Sequence, residues 1–259
     1  MSENLDEREG MGTTEEMVSQ SEPLSLTDKF IGVITEPADT FAIIRAAGPK
    51  TSDWIVPLLV MAIILGISMF VRFSNPETAA QMQQQQEMAI QKRVDAGQMT
   101  QEQADQTIEQ MEQFGGMTKI FAPIGAVLGY VAIFFLLCLF YWLIVRFIMK
   151  GDTNYSFILS VVGLSAFISA IDQIISILLM VVTGNAMANL SPALFVDSQA
   201  AGKTFYLLMV LAPISLWAQY VIGIGFAKTA NISTAKGVIA SFIVWLLFAL
   251  LTVTTGFGA

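Results

Sequence analysis

The sequence has no histidine and a single cysteine among its 259 residues. Without an imidazole there is no Ser-His or Cys-His catalytic pair, no His-ligated zinc, copper or iron, and no haem held by a proximal His. One thiol, Cys138, excludes an intramolecular disulfide and a cysteine cluster site. We interpret Cys138 as a small buried hydrophobe, and the sequence predicts a protein that is not an enzyme and uses no metal or cofactor.

Charged residues are also scarce, at 13% of the chain, and the 21 acids exceed the 13 bases, so the formal net charge is -8. This balance leaves no basic surface for a nucleic-acid backbone, and nucleic acid is not an expected partner. Most of the negative charge lies in residues 1–28, which hold eight acids and one base. Residues 1–23 also lack apolar periodicity, so we predict a disordered, acidic, cytoplasmic tail there.

The chain is rich in long apolar stretches, and 54% of its residues are hydrophobic. A helix needs about 20 apolar residues to cross a bilayer. Five segments approach or exceed that length, at about 54–73, 121–149, 157–182, 205–226 and 237–253. The predicted fold class is therefore all-α, a polytopic integral membrane protein with five transmembrane helices. We assign residues 51–74 and 119–256 to this membrane domain.

Residues 24–50, before the first span, form an N-terminal amphipathic lead. Two short apolar patterns, separated by Pro37, predict two helices that are too short to cross the bilayer. We interpret them as interfacial helices whose Lys29, Arg45 and Lys50 face lipid headgroups or solvent. Packing of the same helices on the loops of the membrane domain is an equal alternative.

Residues 75–118, between the first two spans, predict a Gln-rich helical hairpin. Asn75 is placed to cap a helix that begins at Pro76, and residues 95–97 are placed to end it. Thr100 and Gln103 have the spacing of a capping box that opens the second arm. This insertion is either an interaction module or a passive spacer or self-associating stalk.

Basic residues near the span ends predict the orientation. The short loops hold four bases on the side of the N-terminus and one on the other side. Cytoplasmic loops carry the excess of Lys and Arg, so the N-terminus is predicted to be cytoplasmic and the C-terminus extracytoplasmic. The hairpin is then extracytoplasmic.

Polar residues inside the apolar segments are the candidate site. Asp172 falls near the middle of the third span, where an ionised carboxylate costs several kcal/mol unless it is paired, hydrated or protonated. Gln173 and Gln219 are candidate partners, and Pro213 is expected to kink the fourth span. The group is either a proton or cation position, a polar lock between helices, or a hydrogen bond that only fixes packing.

Several glycines in the spans predict close helix packing. Gly125 and Gly129 form a GxxxG pair on the second span, and the same interpretation applies to Gly163, Gly223 and Gly225. The first expectation is packing within the chain, and contact with a second copy is the alternative.

Short motifs along the chain resemble those of a known family. They are Phe30, Pro37 and Phe41 in the lead; Trp54, Pro57 and Leu58 in the first span; Gly151, Tyr155, Ser160, Val161, Gly163 and Ser165 around the third; and Trp217, Gly223, Gly225, Ser233, Ala235 and Lys236 near the end. Over about residues 26–255 the sequence resembles the Yip-domain family of Ypt/Rab-GTPase-interacting membrane proteins, in its bacterial five-span form. The resemblance implies a location in a bacterial inner membrane, with an ER or Golgi membrane as the alternative. GTPase binding is an expectation that rests on this resemblance alone. The Asp-Leu-Tyr-Gly-Pro type signature of eukaryotic members is absent.

These features together predict a non-enzymatic membrane adaptor or membrane-organising scaffold. Its expected partners are membrane lipids and either an unidentified protein or a second copy of the chain. The competing hypothesis is a small transporter, channel or lipid-translocating protein that uses Asp172. The two differ in whether the polar residues of the spans converge on one cavity or are satisfied separately between packed helices.

Overall fold

The computed structural model describes residues 24–113, 115–196 and 202–255, and within them it contains helices and no strands. The predicted all-α fold class is confirmed. The predicted tail, residues 1–23, lies outside the described residues.

The lead consists of two helices, α1 (Leu26–Thr35) and α2 (Pro37–Ala47). Ser25 caps α1 in a capping box, since its hydroxyl accepts from the amide of Asp28 and the Asp28 carboxylate accepts from the amide of Ser25, both at 3.2 Å. Such a box satisfies backbone donors that the first turn leaves free. Pro37 then begins α2, where a missing N–H costs nothing.

Four of the described helices are long and apolar enough to cross a membrane. They are α3 (Ser52–Ser74), α6 (Gly115–Leu143), which continues into a π-helical turn (Ile144–Ile148), α7 (Tyr155–Thr183) and α10 (Thr234–Thr255).

The fifth candidate span is broken. Helices α8 (Lys203–Val210) and α9 (Pro213–Thr229) meet at a bend of 51° and pass the same test when taken together. Pro213 occupies the first turn of α9, after an extended Ala212. Because proline cannot donate to the preceding turn, the helix ends before it and starts again.

The hairpin has the predicted arms, α4 (Pro76–Asp95) and α5 (Gln101–Gln113). Asn75 Oδ1 accepts from the Glu77 amide at 2.9 Å, and Thr100 and Gln103 exchange the two bonds of a capping box at 3.0 and 3.2 Å. Ile90 and Ala104 are buried. Local cap chemistry and a thin apolar seam therefore define this insertion.

Tight packing of α7 and α9 is concentrated in the half of the bundle near the lead. Of the thirteen buried residues of α7, twelve lie between Phe157 and Ala170. The buried residues of α9 likewise fall between Ala218 and Thr229, away from the bend. The spans therefore share a dense core at the lead end and pack more loosely toward the hairpin end.

Three of the predicted glycines lie where helices approach closely. A Cβ atom on Gly163 would lie 2.5 Å from the Cα of Trp54, and one on Gly223 would lie 2.6 Å from the Cα of Val238. A Cβ atom on Gly225 would lie 2.5 Å from a methyl group of Val161.

Gly125 and Gly129 differ from these three. No described atom lies within 4 Å of a Cβ atom built on either residue. The expectation that this GxxxG pair packs within the chain is therefore wrong for the described residues. A GxxxG spacing indicates that a second helix could approach this face closely, but not that a second helix packs against it.

Candidate functional site

Asp172 lies half-buried on α7 and bonds to the first turn of α9. Its Oδ2 accepts a hydrogen bond from Ser215 Oγ at 2.9 Å. Its Oδ1 is enclosed and has no hydrogen-bond partner among the described residues. One carboxyl oxygen is thus satisfied between two spans and the other is not, which is costly in an apolar medium.

Gln173 and Gln219 each bond elsewhere. Gln173 Nε2 donates to Ser68 Oγ on α3 at 3.2 Å, and Gln219 Oε1 accepts from the hydroxyl of Tyr141 on α6 at 3.0 Å. Successive positions on a helix point about 100° apart, so neighbours in sequence contact different helices. The three predicted residues therefore form three separate hydrogen bonds rather than one cluster.

Ser215 and Pro213 place the first of these bonds beside the bend. Pro213 starts α9, and the hydroxyl of Ser215 two residues later reaches Asp172. Sequence reasoning named Pro213 but missed Ser215, Ser68 and Tyr141. The position of Ser215 just after the expected kink could have indicated its role. No local sequence feature indicates that Ser68 or Tyr141 bonds to a glutamine of another span.

A buried polar cluster that the sequence does not predict is formed by Lys29, Asp53 and the backbone amide of Lys50, and we call it the lead lock. Lys29 Nζ lies 2.6 Å from Asp53 Oδ1, and the two side chains are 5% and 0% exposed. Asp53 Oδ2 also accepts from the Lys50 amide at 3.0 Å. The expectation that Lys29 faces headgroups or solvent is wrong, because a carboxylate in the first turn of α3 offers it a partner that a buried charge requires.

Arg45 takes part in a more exposed contact next to the lead lock. Its guanidinium lies 2.8 Å from a carboxylate oxygen of Asp152 and 5.0 Å from the ring centre of Phe157. Its side chain is 33% exposed, so it is only partly directed to solvent, whereas Lys50 is exposed as expected.

Asp152 connects three segments at this end of the bundle. Besides Arg45, its carboxylate lies 3.7 Å from Arg146, and its amide donates to the carbonyl of Ala230 at 2.8 Å. The lead, the loop before α7 and the loop after α9 are therefore joined at one end of the bundle.

The hairpin is anchored at the opposite end. Gln81 uses both ends of its amide, donating to the carbonyl of Gly184 and accepting from the amide of Ala186, each at 3.0 Å. Arg72 Nη1 also donates to the carbonyl of Ala186. The Gln81 bonds hold the first arm, and the Arg72 bond holds the end of α3, against the loop after α7.

Metal-ligating side chains are not grouped in the described part of the chain. No set of three or more Cys, Asp or Glu residues lies close enough there to hold a metal ion. Cys138 is buried in α6 and forms no disulfide.

Comparison with known proteins gives one family and one curated relative. The family model described as the Yip1 domain matches residues 31–255. "Membrane protein YknW" of Bacillus subtilis (strain 168) is 28% identical over 234 residues, which cover 88% of each chain. No solved structure matches the chain.

Proposed function

Because the chain belongs to the Yip1 domain family and is a multi-pass membrane protein, we propose that it acts as a non-enzymatic membrane adaptor or membrane-organising scaffold. The observation that carries this proposal is the separate pairing of Asp172, Gln173 and Gln219 with three different helices. A transport path requires polar groups that line one route, whereas single hydrogen bonds between packed helices hold a fixed scaffold together.

The lead lock supports a binding role for the lead end of the bundle. The buried Lys29–Asp53 pair and the Arg45–Asp152 contact hold the lead against the spans. A surface built on ordered elements presents a partner with a preformed face, which reduces the entropy lost on binding. The lead and its neighbouring loops are therefore a suitable platform for protein contacts.

The orientation that fits this role places the lead on the cytoplasmic side of a bacterial inner membrane and the hairpin outside. The bases Lys150, Lys228 and Lys236 are exposed at the lead end, as expected for a cytoplasmic face. The proposed interactions are with membrane lipids and with either an unidentified protein or a second copy of the chain, and GTPase binding rests on family resemblance alone.

A quantitative pull-down tests the proposal. The tagged full-length protein, a variant lacking residues 1–23 and a variant with residues 75–118 replaced by a short Gly-Ser linker are purified from membranes in mild detergent. We expect a stoichiometric protein partner that one of the two deletions removes. Recovery of only the bait from all three samples would contradict the adaptor role.

A small transporter is the second candidate, and the unpartnered Oδ1 of Asp172 beside the bend is the observation that favours it. Reconstituted protein tests it directly. Flux or lipid movement that is present in the wild type and lost in Asp172→Asn would support transport, and equal behaviour of the two proteins would exclude a role for the carboxylate.

A further inference from the structure

The cations around Asp152 outnumber the carboxylate that they share. Arg45 and Arg146 lie 2.8 and 3.7 Å from its two carboxylate oxygens, and the Arg146 side chain is 45% exposed. Lys150, one turn after Arg146, is exposed and takes part in none of the ion pairs of the described residues. Three cations therefore lie close to a single negative charge, and two of them are open to an anion from outside the chain.

Lys150 has an uncommon backbone conformation for its residue type. Its φ angle is 57°, in the left-handed region, where a Cβ atom is crowded and glycine is favoured. The residue follows the π-helical turn Ile144–Ile148, and the amide of the next residue, Gly151, donates to the carbonyl of Val145 at 2.9 Å. A strained position that holds lysine instead of glycine points to a use for the ammonium group.

Exposed apolar side chains accompany these cations. Phe147 and Ile148 lie between Arg146 and Lys150 in the sequence and are 62% and 68% exposed. They end the candidate membrane span Phe121–Ile148. At the end of a span, apolar side chains contact lipid tails and the bases beside them reach the headgroups.

We infer that Arg146 and Lys150, with Phe147 and Ile148 beside them, form a binding site for an anionic membrane lipid. The Arg146 guanidinium donates charge-assisted hydrogen bonds to the headgroup phosphate, and the Lys150 ammonium adds a point charge. The acyl chains cover the two apolar side chains. This site goes beyond the adaptor role and does not depend on it.

The acidic tail, residues 1–23, is another source of negative charge, since it holds seven acids and one base. It brings carboxylates but few apolar side chains to cover Phe147 and Ile148. An anionic lipid supplies both a phosphate and acyl chains at the level where the span ends. The lipid therefore fits the whole surface, and the tail is tested as its competitor.

Native mass spectrometry of the full-length protein in mild detergent tests the site. Phosphatidylglycerol is the probe, and phosphatidylcholine, which carries no net charge, is the comparison lipid. Each Lys or Arg near an anionic headgroup strengthens binding about five-fold, so Arg146→Gln combined with Lys150→Gly should weaken phosphatidylglycerol binding about 25-fold. Lys50→Gln removes an exposed cation that does not pair with Asp152, and this control should bind the lipid like the wild type.

The unfolding temperature separates binding from folding. Lys150→Gly relieves the left-handed backbone strain, so without added lipid it should leave the unfolding temperature unchanged or raise it. The same variant should still bind phosphatidylglycerol more weakly. A lower unfolding temperature would assign Lys150 to packing and overturn its role in the site.

Other results would also overturn the inference. They are equal binding of the two lipids, unchanged binding by the double variant, or equal weakening by Lys50→Gln. Displacement of the lipid by inorganic phosphate at the same concentration would indicate a site for a soluble anion. Binding that appears only after residues 1–23 are removed would show that the tail occupies the site. A pull-down without a partner overturns the adaptor role and leaves the lipid site standing.

Discussion

At the scale of single residues, the buried Lys29–Asp53 pair bears most directly on stability. Removing two charges from water is expensive, and their attraction compensates only when both are present and well placed. The distance of 2.6 Å and the additional Lys50 amide bond meet that condition. Loss of one member should therefore be worse than loss of both.

We predict that Lys29→Met lowers stability by about 3 to 5 kcal/mol because it leaves the Asp53 carboxylate buried and unpaired. The double variant Lys29→Met with Asp53→Leu should recover much of that loss. Thermal unfolding of the purified protein in detergent measures both. Lys50→Met changes an exposed side chain and serves as the control; equal destabilisation by the single and double variants would contradict the prediction.

At the scale of helices, the glycines occupy two kinds of position, some at close contacts between helices and others on open helix surface. Gly163 faces the backbone of Trp54, whereas Gly125 faces no described atom. We predict that Gly163→Ala destabilises the bundle, because the added methyl group would lie 2.5 Å from the Trp54 Cα and α3 and α7 would have to separate. Gly125→Ala is the matched control.

Thermal unfolding of the two alanine variants checks this prediction. Gly125→Ala should leave stability unchanged or raise it by up to about 1 kcal/mol, the difference in helix propensity between the two residues. If Gly163→Ala also leaves the unfolding temperature unchanged, the close approach of α3 and α7 is not as described.

The first arm of the hairpin provides a second test at this scale. Gln81→Leu removes both bonds to the loop after α7, so the amide of Ala186 should exchange its hydrogen faster. Hydrogen–deuterium exchange of the 184–190 peptide measures the effect. Gln83→Leu, which removes an exposed bond to Glu87 within the same helix, should leave that peptide unchanged.

Sequence reasoning succeeded where the determining chemistry is local. The lengths of the apolar stretches predicted the spans, and residue type and spacing predicted the caps at Asn75 and Thr100. It failed where a partner lies far along the chain. The sequence predicts a solvent-facing Lys29 because nothing in residues 24–50 reveals that the carboxylate of Asp53 lies beside it. The partners of Gln173 and Gln219 depend on how each helix is rotated about its axis, which one sequence does not define.

At the scale of the whole molecule, the two ends of the bundle differ. The lead, Asp152 and Ala230 meet at one end, and the hairpin and the loop after α7 meet at the other. The family match over residues 31–255 confirms the resemblance seen in the short motifs. The orientation of these two ends is a prediction from the distribution of bases.

Labelling of one introduced cysteine at a time tests the orientation. Thr51→Cys lies at the lead end and Gln98→Cys at the hairpin tip, and both positions are exposed. A membrane-impermeant maleimide added to intact bacterial cells should label Gln98→Cys and not Thr51→Cys. The wild type provides the background because Cys138 is buried, and the reverse labelling pattern would invert the topology.

The environment of the lead lock also bears on the stage of synthesis at which the ion pair becomes buried. Asp53 and Trp54 lie against Gly163, which is made 110 residues after Asp53. At about 5 to 20 residues per second, Gly163 is made roughly 5 to 20 s after Asp53. Because α7 is absent during that interval, we expect the buried setting of the Lys29–Asp53 pair to be completed only after the third span has been inserted.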